Sequence, residues 1–308
     1  PRRLRTSRAG YTGPSPREVF VFVHGWPDTS AVWSPLISQP ALRFERERRR
    51  CVLVDLPVWD GAAWQGEDLG FHRLGALLQA AIREEMATAD VDAVTLVAHD
   101  WGVIIAALVL ADAPQLVRRT VLCDVGASVK RVDSCRLACT WAFICAYFST
   151  NAILFNLSRV PGLARVADAI NAMWVPRLCR YGDDDYGRPL TARGNYFYWN
   201  AVALMSGGRG RLADAALRSP TQPLLFLHGT GIFHCHEWAR GLRARDGCDA
   251  AYVCADHWFF RREPAKTARI IADWLDATAE RAAGGGEARK GKRSSAAASG
   301  VPSATATS

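Results

Sequence analysis

Residues 94–108, VTLVAHDWGVIIAAL, decide the fold of this chain, because they place a strand, a sharp turn and a helix directly one after another. The β-branched run up to Ala98 predicts a buried strand, and the apolar run after Gly102 predicts a helix. Small residues such as Ala98 and Gly102 allow a strand to turn sharply into a helix. Asp100 stands at the apex, where the free N–H groups of the helix would favour its carboxylate. It is a candidate nucleophile, and the alternative is a plain helix N-cap.

The rest of the sequence alternates strand and helix patterns around this turn. Continuous apolar runs of β-branched and aromatic residues predict strands that are buried on both faces. Runs of this kind lie at residues 19–23 and 51–54. Further strands are predicted at 117–123, 223–227 and 250–254, and helical spacing is found at 70–88 and 263–280. Strands that alternate with helices predict an α/β fold with a doubly wound, mostly parallel sheet.

Length and composition favour one main domain with an insertion. With 308 residues, of which 49% are hydrophobic, the chain can bury one large core. Strand patterns do not recur between residues 131 and 218, where apolar residues have helical spacing and aromatic residues are frequent. This segment is predicted to be a helical cap. The predicted divisions are a disordered basic segment at 1–18, core at 19–130, cap at 131–218, core at 219–280 and a disordered basic tail at 281–308.

The net charge of +8 comes from the two ends of the chain. Residues 1–18 and 281–308 each contribute +4, and residues 19–280 carry 28 basic and 28 acidic side chains. A neutral folded part argues against a basic nucleic-acid-binding face. No nucleic-acid partner is therefore expected.

Nine scattered cysteines without a Cys-x-x-Cys pair fit reduced thiols in a core better than a disulfide framework. We therefore expect a reducing, cytoplasmic compartment. The chain begins with Pro1 rather than Met, so a removed or truncated leader stays an alternative.

Residues 137–158 contain no charged side chain, so a membrane-spanning helix has to be weighed. The run is diluted by Cys, Thr, Ser and Asn and interrupts the strand pattern of a globular fold. A buried cap helix is the better interpretation, and no membrane partner is expected.

Three motifs lie at predicted strand ends, where open α/β sheets collect their reactive residues. They are His24-Gly25-Trp26-Pro27, His99-Asp100-Trp101-Gly102 and Asp256-His257-Trp258-Phe259. In this order they resemble the α/β-hydrolase superfamily, specifically the branch with an aspartate nucleophile that contains epoxide hydrolases and dehalogenases. The resemblance covers roughly residues 19–280.

This resemblance implies a two-step reaction that needs no cofactor and no metal. Asp100 attacks an sp3 carbon to form an alkyl ester, and His257 activates the water that hydrolyses the ester. Backbone N–H groups of Trp26 and Trp101 would form the oxyanion hole, and the Trp26-Pro27 bond would be cis. His24 is expected to shape its loop rather than to react.

The third catalytic member is predicted to be Asp124. The segment after the strand at 223–227 offers no carboxylate before Glu237, whereas Asp124 ends the strand that follows the elbow helix. Fluoroacetate dehalogenases are similar in this respect. Asp256, next to His257, is interpreted as a surface residue. A zinc site at His228, His234, Cys235 and His236 is disfavoured, because the spacing matches no common ligand pattern.

The cap tyrosines favour an epoxide as the substrate, since an opening epoxide needs a proton donor. Among Tyr147, Tyr181, Tyr186, Tyr196 and Tyr198, the choice falls on Tyr196 and Tyr198 as proton donors or leaving-group contacts, in an aromatic cluster that could equally serve packing. The expected ligand is a small hydrophobic epoxide or halogenated compound.

Two alternatives stay open. One is a haloalkane or haloacid dehalogenase with the same residues, although the Asn and Arg that such relatives carry are Trp26 and Trp101 here. The other is a hydrolase-fold binding protein that has lost catalysis. Serine-type ester hydrolysis is disfavoured, because position 100 is not Ser.

Overall fold

Seven strands form a single sheet in the order β1-β3-β2-β4-β5-β6-β7. The computed structural model describes residues 3–58, 69–127, 135–179, 191–206, 208–230 and 236–296. The strands are β1 (Arg5–Gly10), β2 (Glu18–Val23), β3 (Arg49–Asp55), β4 (Val94–His99), β5 (Val117–Cys123), β6 (Leu224–His228) and β7 (Asp249–Tyr252). All neighbours pair in parallel except β1, which is antiparallel to β3. The predicted α/β class and mostly parallel sheet are confirmed.

Helices cover both faces of this sheet. They are α1 (Ser34–Ile37), α2 (Phe71–Ala89), α3 (Trp101–Asp112), α4 (Cys135–Leu157), α5 (Ala164–Cys179), α6 (Tyr196–Ser206), α7 (Gly208–Arg218), α8 (His236–Arg243), α9 (Phe259–Arg262) and α10 (Pro264–Ala296). Side chains on alternate positions of the strands enter opposite cores, as Val21 and Phe22 of β2 do. Burial on both faces explains the continuous apolar run at residues 19–23 of β2.

The prediction that residues 1–18 are disordered is wrong for β1. Residues 5–10 pair along β3 from Asp55 to Arg50. The strand escaped prediction because its side chains are mostly exposed and therefore polar, whereas backbone hydrogen bonds hold it in place. Arg8 adds a two-pronged contact with Glu85 of α2, at 3.0 and 3.1 Å.

The C-terminal boundary also differs from the prediction, because α10 continues to Ala296 rather than ending near residue 280. Ala, Glu, Arg and Lys follow residue 280 and are good helix formers, so the helix extends through the short glycine run. The last part of the predicted tail, residues 297–308, lies outside the described residues.

Four helices, α4 to α7, lie between β5 and β6 where the cap is predicted. None of the helices in the described ranges combines the length and the hydropathy that crossing a bilayer requires. The inner side of α4 packs on α6 and α5, which places the cap over the carboxyl ends of the strands near β4 and β5.

Candidate active site

The turn between β4 and α3 holds Asp100 in a strained backbone conformation, with φ 51° and ψ −125°. Two glycines make the close approach possible. A Cβ atom on Gly25 would lie 2.4 Å from Asp100 Oδ2, and one on Gly102 would lie 2.5 Å from the carbonyl oxygens of Val23 and His24. Asp100 is thus fixed at the apex of the turn, and its side chain makes no helix-capping hydrogen bond.

The loop after β2 meets this carboxylate from the other side. The backbone N–H of Trp26 donates a hydrogen bond of 2.8 Å to Asp100 Oδ2. The Trp26-Pro27 bond is cis, as the resemblance implies. One of the two predicted oxyanion-hole donors therefore points at the side chain of Asp100, while Trp101 begins α3 directly after it.

His257 and Asp124 stand beside Asp100 in a continuous arrangement. Asp124 Oδ2 lies 2.6 Å from His257 Nδ1, and His257 Nε2 lies 3.8 Å from Asp100 Oδ1. The other oxygen of Asp124 accepts the backbone N–H of Gly229 at 3.0 Å. The three residues chosen from sequence as nucleophile, base and relay are brought together.

The charges of the two carboxylates shift the protonation of this site. Burial disfavours the imidazolium of His257, but the hydrogen bond to Asp124 and the charges of Asp124 and Asp100 outweigh burial and raise its pKa to about 9. Burial would raise the pKa of Asp124, yet the contact with His257 and the Gly229 N–H lower it overall. Asp124 is therefore a charged partner of a basic histidine.

A second histidine–carboxylate pair, His99 and Asp28, is buried next to His257. The rings of His99 and His257 are 4.3 Å apart, and His99 Nε2 contacts the His257 carbonyl oxygen at 3.1 Å. On the other side His99 Nδ1 lies 3.6 Å from Asp28 Oδ2, which also accepts the indole N–H of Trp258 at 3.0 Å. These contacts hold the backbone and the ring of His257 in place beside the end of β4.

His24 is buried and uses both ring nitrogens on the backbone. Nδ1 contacts the carbonyl oxygen of Gly25 at 2.7 Å, and Nε2 accepts the N–H of Leu56 at 3.0 Å. Burial lowers the pKa of His24, which keeps the ring neutral. This agrees with the loop-shaping role expected for it.

On the cap side, Tyr198 lies over the residues that flank Asp100. Its ring centroid is 5.2 Å from the rings of both Trp26 and Trp101, and its hydroxyl is hydrogen-bonded to that of Tyr147. Tyr196 instead is fully buried and packs on Phe197 at 4.1 Å. Of the two tyrosines chosen from sequence, Tyr198 is the one that makes edge-to-face contacts with these tryptophans, and its hydroxyl pairs with that of Tyr147.

Two buried asparagines tie the cap to the loop that carries Trp26. Asn195 Oδ1 accepts the indole N–H of Trp26 at 2.9 Å, and Asn195 Nδ2 donates to Asn171 Oδ1 at 2.8 Å. The indole of Trp26 is therefore engaged by the cap, while its backbone N–H is directed at Asp100.

A cavity of about 400 Å³ opens over Asp100 between α3 and the cap. Its walls are predominantly apolar, with Trp101 and Ile104 from α3, Phe148 from α4 and Leu204 from α6. Arg211 and Asp214 of α7 are polar members of the lining, and Asp214 is paired with Arg218 at 2.7 Å. The carboxylate of Asp100 therefore faces a largely apolar space of the size of a small organic ligand.

No group of three His, Cys, Asp or Glu side chains in the described ranges is arranged to hold a metal ion. His234 and Cys235 of the disfavoured zinc cluster lie outside the described residues, and His228 packs against Phe226. Asp256 is exposed and accepts the backbone N–H of Trp258 at 2.9 Å, in agreement with its interpretation as a surface residue.

Sequence reasoning offered Tyr147 as a candidate without choosing it, and it did not find the Asn195–Asn171 contact or the α7 side of the cavity. Helical spacing does not show which face of a cap helix turns toward the core, because that depends on how the cap helices pack on one another. A sequence signal existed for His99, which stands in a strand-end motif, and for Asp28, which directly follows one, but neither residue was singled out.

Comparison with known proteins agrees with this fold and these motifs. The family described as alpha/beta hydrolase fold matches residues 18–136. Epoxide hydrolase 2 of Caenorhabditis elegans is 28% identical over 129 residues, which are 40% of this chain and 33% of that protein. The match thus spans about a third of the relative's length.

Two solved structures are similar over most of the chain. A loop variant of the haloalkane dehalogenase DbeA from Bradyrhizobium elkanii superposes with a TM-score of 0.66 at 19% identity, covering 91% of this chain and 99% of that one. The structure of DBJA has a TM-score of 0.67 at 19% identity and covers 90% and 95% of the two chains. At this identity the likeness concerns the fold. Together with the family match over residues 18–136, it shows that this chain has the α/β-hydrolase fold.

Proposed function

We propose that this chain is an epoxide hydrolase that forms and then hydrolyses an alkyl ester on Asp100. The observation that carries the proposal is the position of Asp100 between the Trp26 N–H, at 2.8 Å, and the His257–Asp124 pair, under an apolar cavity. A carboxylate needs no base to attack an electrophilic carbon, whereas hydrolysis of the resulting ester does need one. The contacts of Asp100, His257, Asp124 and the Trp26 N–H support this chemistry.

In the first step, an oxygen of Asp100 attacks an epoxide carbon and the ring C–O bond breaks. Oδ2 is held by the Trp26 N–H, so Oδ1 is the oxygen left to attack. The Tyr147–Tyr198 hydroxyl pair supplies the proton for the oxygen that leaves. We assign this role to Tyr147 with Tyr198, in place of Tyr196, because their hydroxyls are bonded to each other and Tyr198 lies against Trp26 and Trp101.

In the second step, His257 takes a proton from water, and the hydroxide attacks the carbonyl carbon of the ester. Esterification removes the negative charge of Asp100, which is one of the causes that raise the pKa of His257. The first step therefore makes the histidine easier to deprotonate and better suited as the base for the second. The Trp26 N–H stabilises the oxyanion, and collapse releases the diol and restores Asp100.

Haloalkane dehalogenation is the second candidate, since it uses the same nucleophile and base. A halide needs N–H donors that hold it without giving up a proton. The indole N–H of Trp26 already donates to Asn195, so it is not directed at a leaving group. The hydrogen-bonded hydroxyls of Tyr147 and Tyr198, next to Trp26 and Trp101, favour an epoxide.

A panel of epoxides and haloalkanes, with diol and halide measured in parallel, tests the proposal. We expect diol formation that is lost in Asp100→Ala and in His257→Gln. A single turnover in ¹⁸O-labelled water should place the label in the carboxylate of Asp100 and leave the first diol unlabelled, because water attacks the ester carbonyl. Label in the diol would refute the ester mechanism. Halide release without diol would reassign the protein to dehalogenation, and turnover of neither substrate by a folded protein would favour a binding role.

A further inference from the structure

The outer side of the cap presents an apolar surface at the turn between α4 and α5. We call it the hairpin tip, and it consists of Ile153, Val160, Leu163, Val166 and Ile170. Their exposed fractions are 59%, 45%, 41%, 52% and 42%. Single exposed apolar residues are ordinary, but a group of this size at one place marks an interaction site.

The position of these residues in the hairpin explains why they form one surface. Ile153 lies four residues before the end of α4, and Ile170 lies six residues after the start of α5. At about 1.5 Å per residue, both are within roughly 10 Å of the turn along the helix axes. Val166 and Ile170 are four residues apart and share a helix face. The tip is thus compact and centred on Val160 and Leu163.

The opposite side of the same hairpin already has its packing partners. Leu154 of α4 and Ala167 of α5 are buried together with Ala192. Tyr147 and Phe148 of α4 lie against Tyr198, on the active-site side. The hairpin therefore folds through its inner residues, and the exposed apolar residues of the tip serve another purpose.

The charges near the tip show what would cover it. Between residues 142 and 175 the sequence contains only three charged side chains, Arg159, Arg165 and Asp168. The carboxylate of Asp168 is used inside the cap, where it accepts the N–H of Ala192 at 2.8 Å. Arg159 and Arg165 are exposed beside Val160 and Leu163. The exposed charges of this segment are therefore both basic.

We propose that the hairpin tip docks on the surface of an anionic lipid membrane. Val160, Leu163 and their neighbours would enter the boundary between head groups and acyl chains, while Arg159 and Arg165 contact lipid phosphates. A second copy of the chain is a poorer occupant. A symmetric contact would place each Arg159 and Arg165 close to the same residues of the other copy.

From the sequence, residues 137–158 are expected to form either a buried cap helix or a membrane-spanning helix. In the structure α4 is a cap helix through its inner side and has an exposed apolar outer side. An interfacial contact needs only that outer side. The inference does not depend on the proposed function, since it rests on no active-site residue.

Vesicle sedimentation with the full chain tests the proposal. We expect binding to vesicles of phosphatidylcholine mixed with phosphatidylserine, and weaker binding to phosphatidylcholine alone. Val160→Glu/Leu163→Glu and Arg159→Glu/Arg165→Glu should each reduce binding, the second by at least about fivefold per arginine. Leu212→Glu is the matched control for the first, because Leu212 is 54% exposed on another cap helix, and it should bind like the wild type.

The basic stretch of α10 provides the control for charge. Lys290→Glu/Lys292→Glu changes the same number of charges in α10 instead of in the hairpin and should retain most of the binding. Loss of binding in this variant with retention in both tip variants would overturn the proposal. So would a dimer in ultracentrifugation that Val160→Glu/Leu163→Glu abolishes, since the tip would then be a contact between copies. Diol formation from water-soluble epoxides reports on the active site separately and should be unchanged in the tip variants.

Discussion

His257 Nδ1 lies 2.6 Å from Asp124 Oδ2, and the other oxygen of that carboxylate is held at 3.0 Å by the N–H of Gly229. Asp124 follows β5, His257 follows β7 and Gly229 follows β6, so three neighbouring strand ends meet in this contact. A Cβ on Gly229 would lie 2.5 Å from the carbonyl oxygen of Asp256, so the close approach requires glycine. The sheet itself therefore sets the orientation of the imidazole.

Asp124→Asn should separate the two steps of the proposed reaction. The amide keeps the shape but removes the charge that stabilises the imidazolium, so the ester should form and then persist. We expect ester hydrolysis to slow by about 10² or more, as is found when the orienting acid of a histidine base is removed. Rapid quenching and mass spectrometry of the intact protein would reveal the accumulated alkyl-enzyme. Full turnover in this variant would show that Asp124 is not the relay.

The raised pKa of His257 makes a prediction about stability and pH. The folded-state pKa of about 9 lies above the ordinary value of 6.5, so folding favours the protonated ring. This contribution to the free energy of unfolding is fully present below pH 6.5 and is lost as the pH rises through 9. Comparing the wild type with His257→Gln isolates it from other titrating groups. The difference between them should change by at most about 1.4 kcal/mol per pH unit in that window, and a constant difference would contradict the assignment.

The hydrogen bond between the hydroxyls of Tyr147 and Tyr198 predicts the activities of three Tyr→Phe variants, of which Tyr196→Phe is the control. Tyr147→Phe and Tyr198→Phe should each slow the formation of the alkyl-enzyme from an epoxide by about 10-fold or more, and the double variant should lose most of the 10² to 10⁴ that general acid catalysis contributes. Tyr196→Phe should retain activity, because the ring of Tyr196 packs on Phe197, whereas the proposed proton donors are the hydrogen-bonded hydroxyls of Tyr147 and Tyr198. Stopped-flow measurement of the first step is the appropriate readout. Activity lost in Tyr196→Phe alone would restore the original choice from sequence.

The sequence could predict the reactive strand ends because their signals are local. A continuous apolar run ends at His99, and the next residue is Asp100, so the placement of a carboxylate above the sheet follows from a few adjacent residues. The same reasoning reaches His257 and Asp124, and parallel strand order brings the three together. The resemblance to a known family added their roles.

The cap and the chain ends could not be predicted in the same way. Which tyrosines lie against Trp26 depends on the packing of α4 on α6, which neither helix encodes alone. The edge strand β1 is stabilised by its backbone pairing with β3 and by Arg8 on Glu85, so its side chains carry no apolar pattern. The exposed hairpin tip could not be predicted either, because the sequence of an uncharged helix does not show which of its apolar residues are buried and which are exposed.

Gly25 offers a test of how closely the loop after β2 must approach the nucleophile. A Cβ at this position would lie 2.4 Å from Asp100 Oδ2 and 2.5 Å from Asp100 Cβ, and neither belongs to a long side chain that could move aside. Gly25→Ala should therefore shift the Trp26 N–H away from Oδ2 and lower kcat for diol formation by about 10².

Gly241→Ala is the matched control for this substitution. A Cβ on Gly241, in α8, would meet nothing within 4 Å. This variant should keep its activity and gain about 0.5 to 1 kcal/mol in the free energy of unfolding, because alanine favours a helix. Equal activity in the two variants would mean that the contact between the Trp26 N–H and Asp100 is dispensable, and the oxyanion would then have to be stabilised by other donors. A loss confined to Gly25→Ala, in a protein that unfolds at an unchanged temperature, would place the effect in the reaction itself.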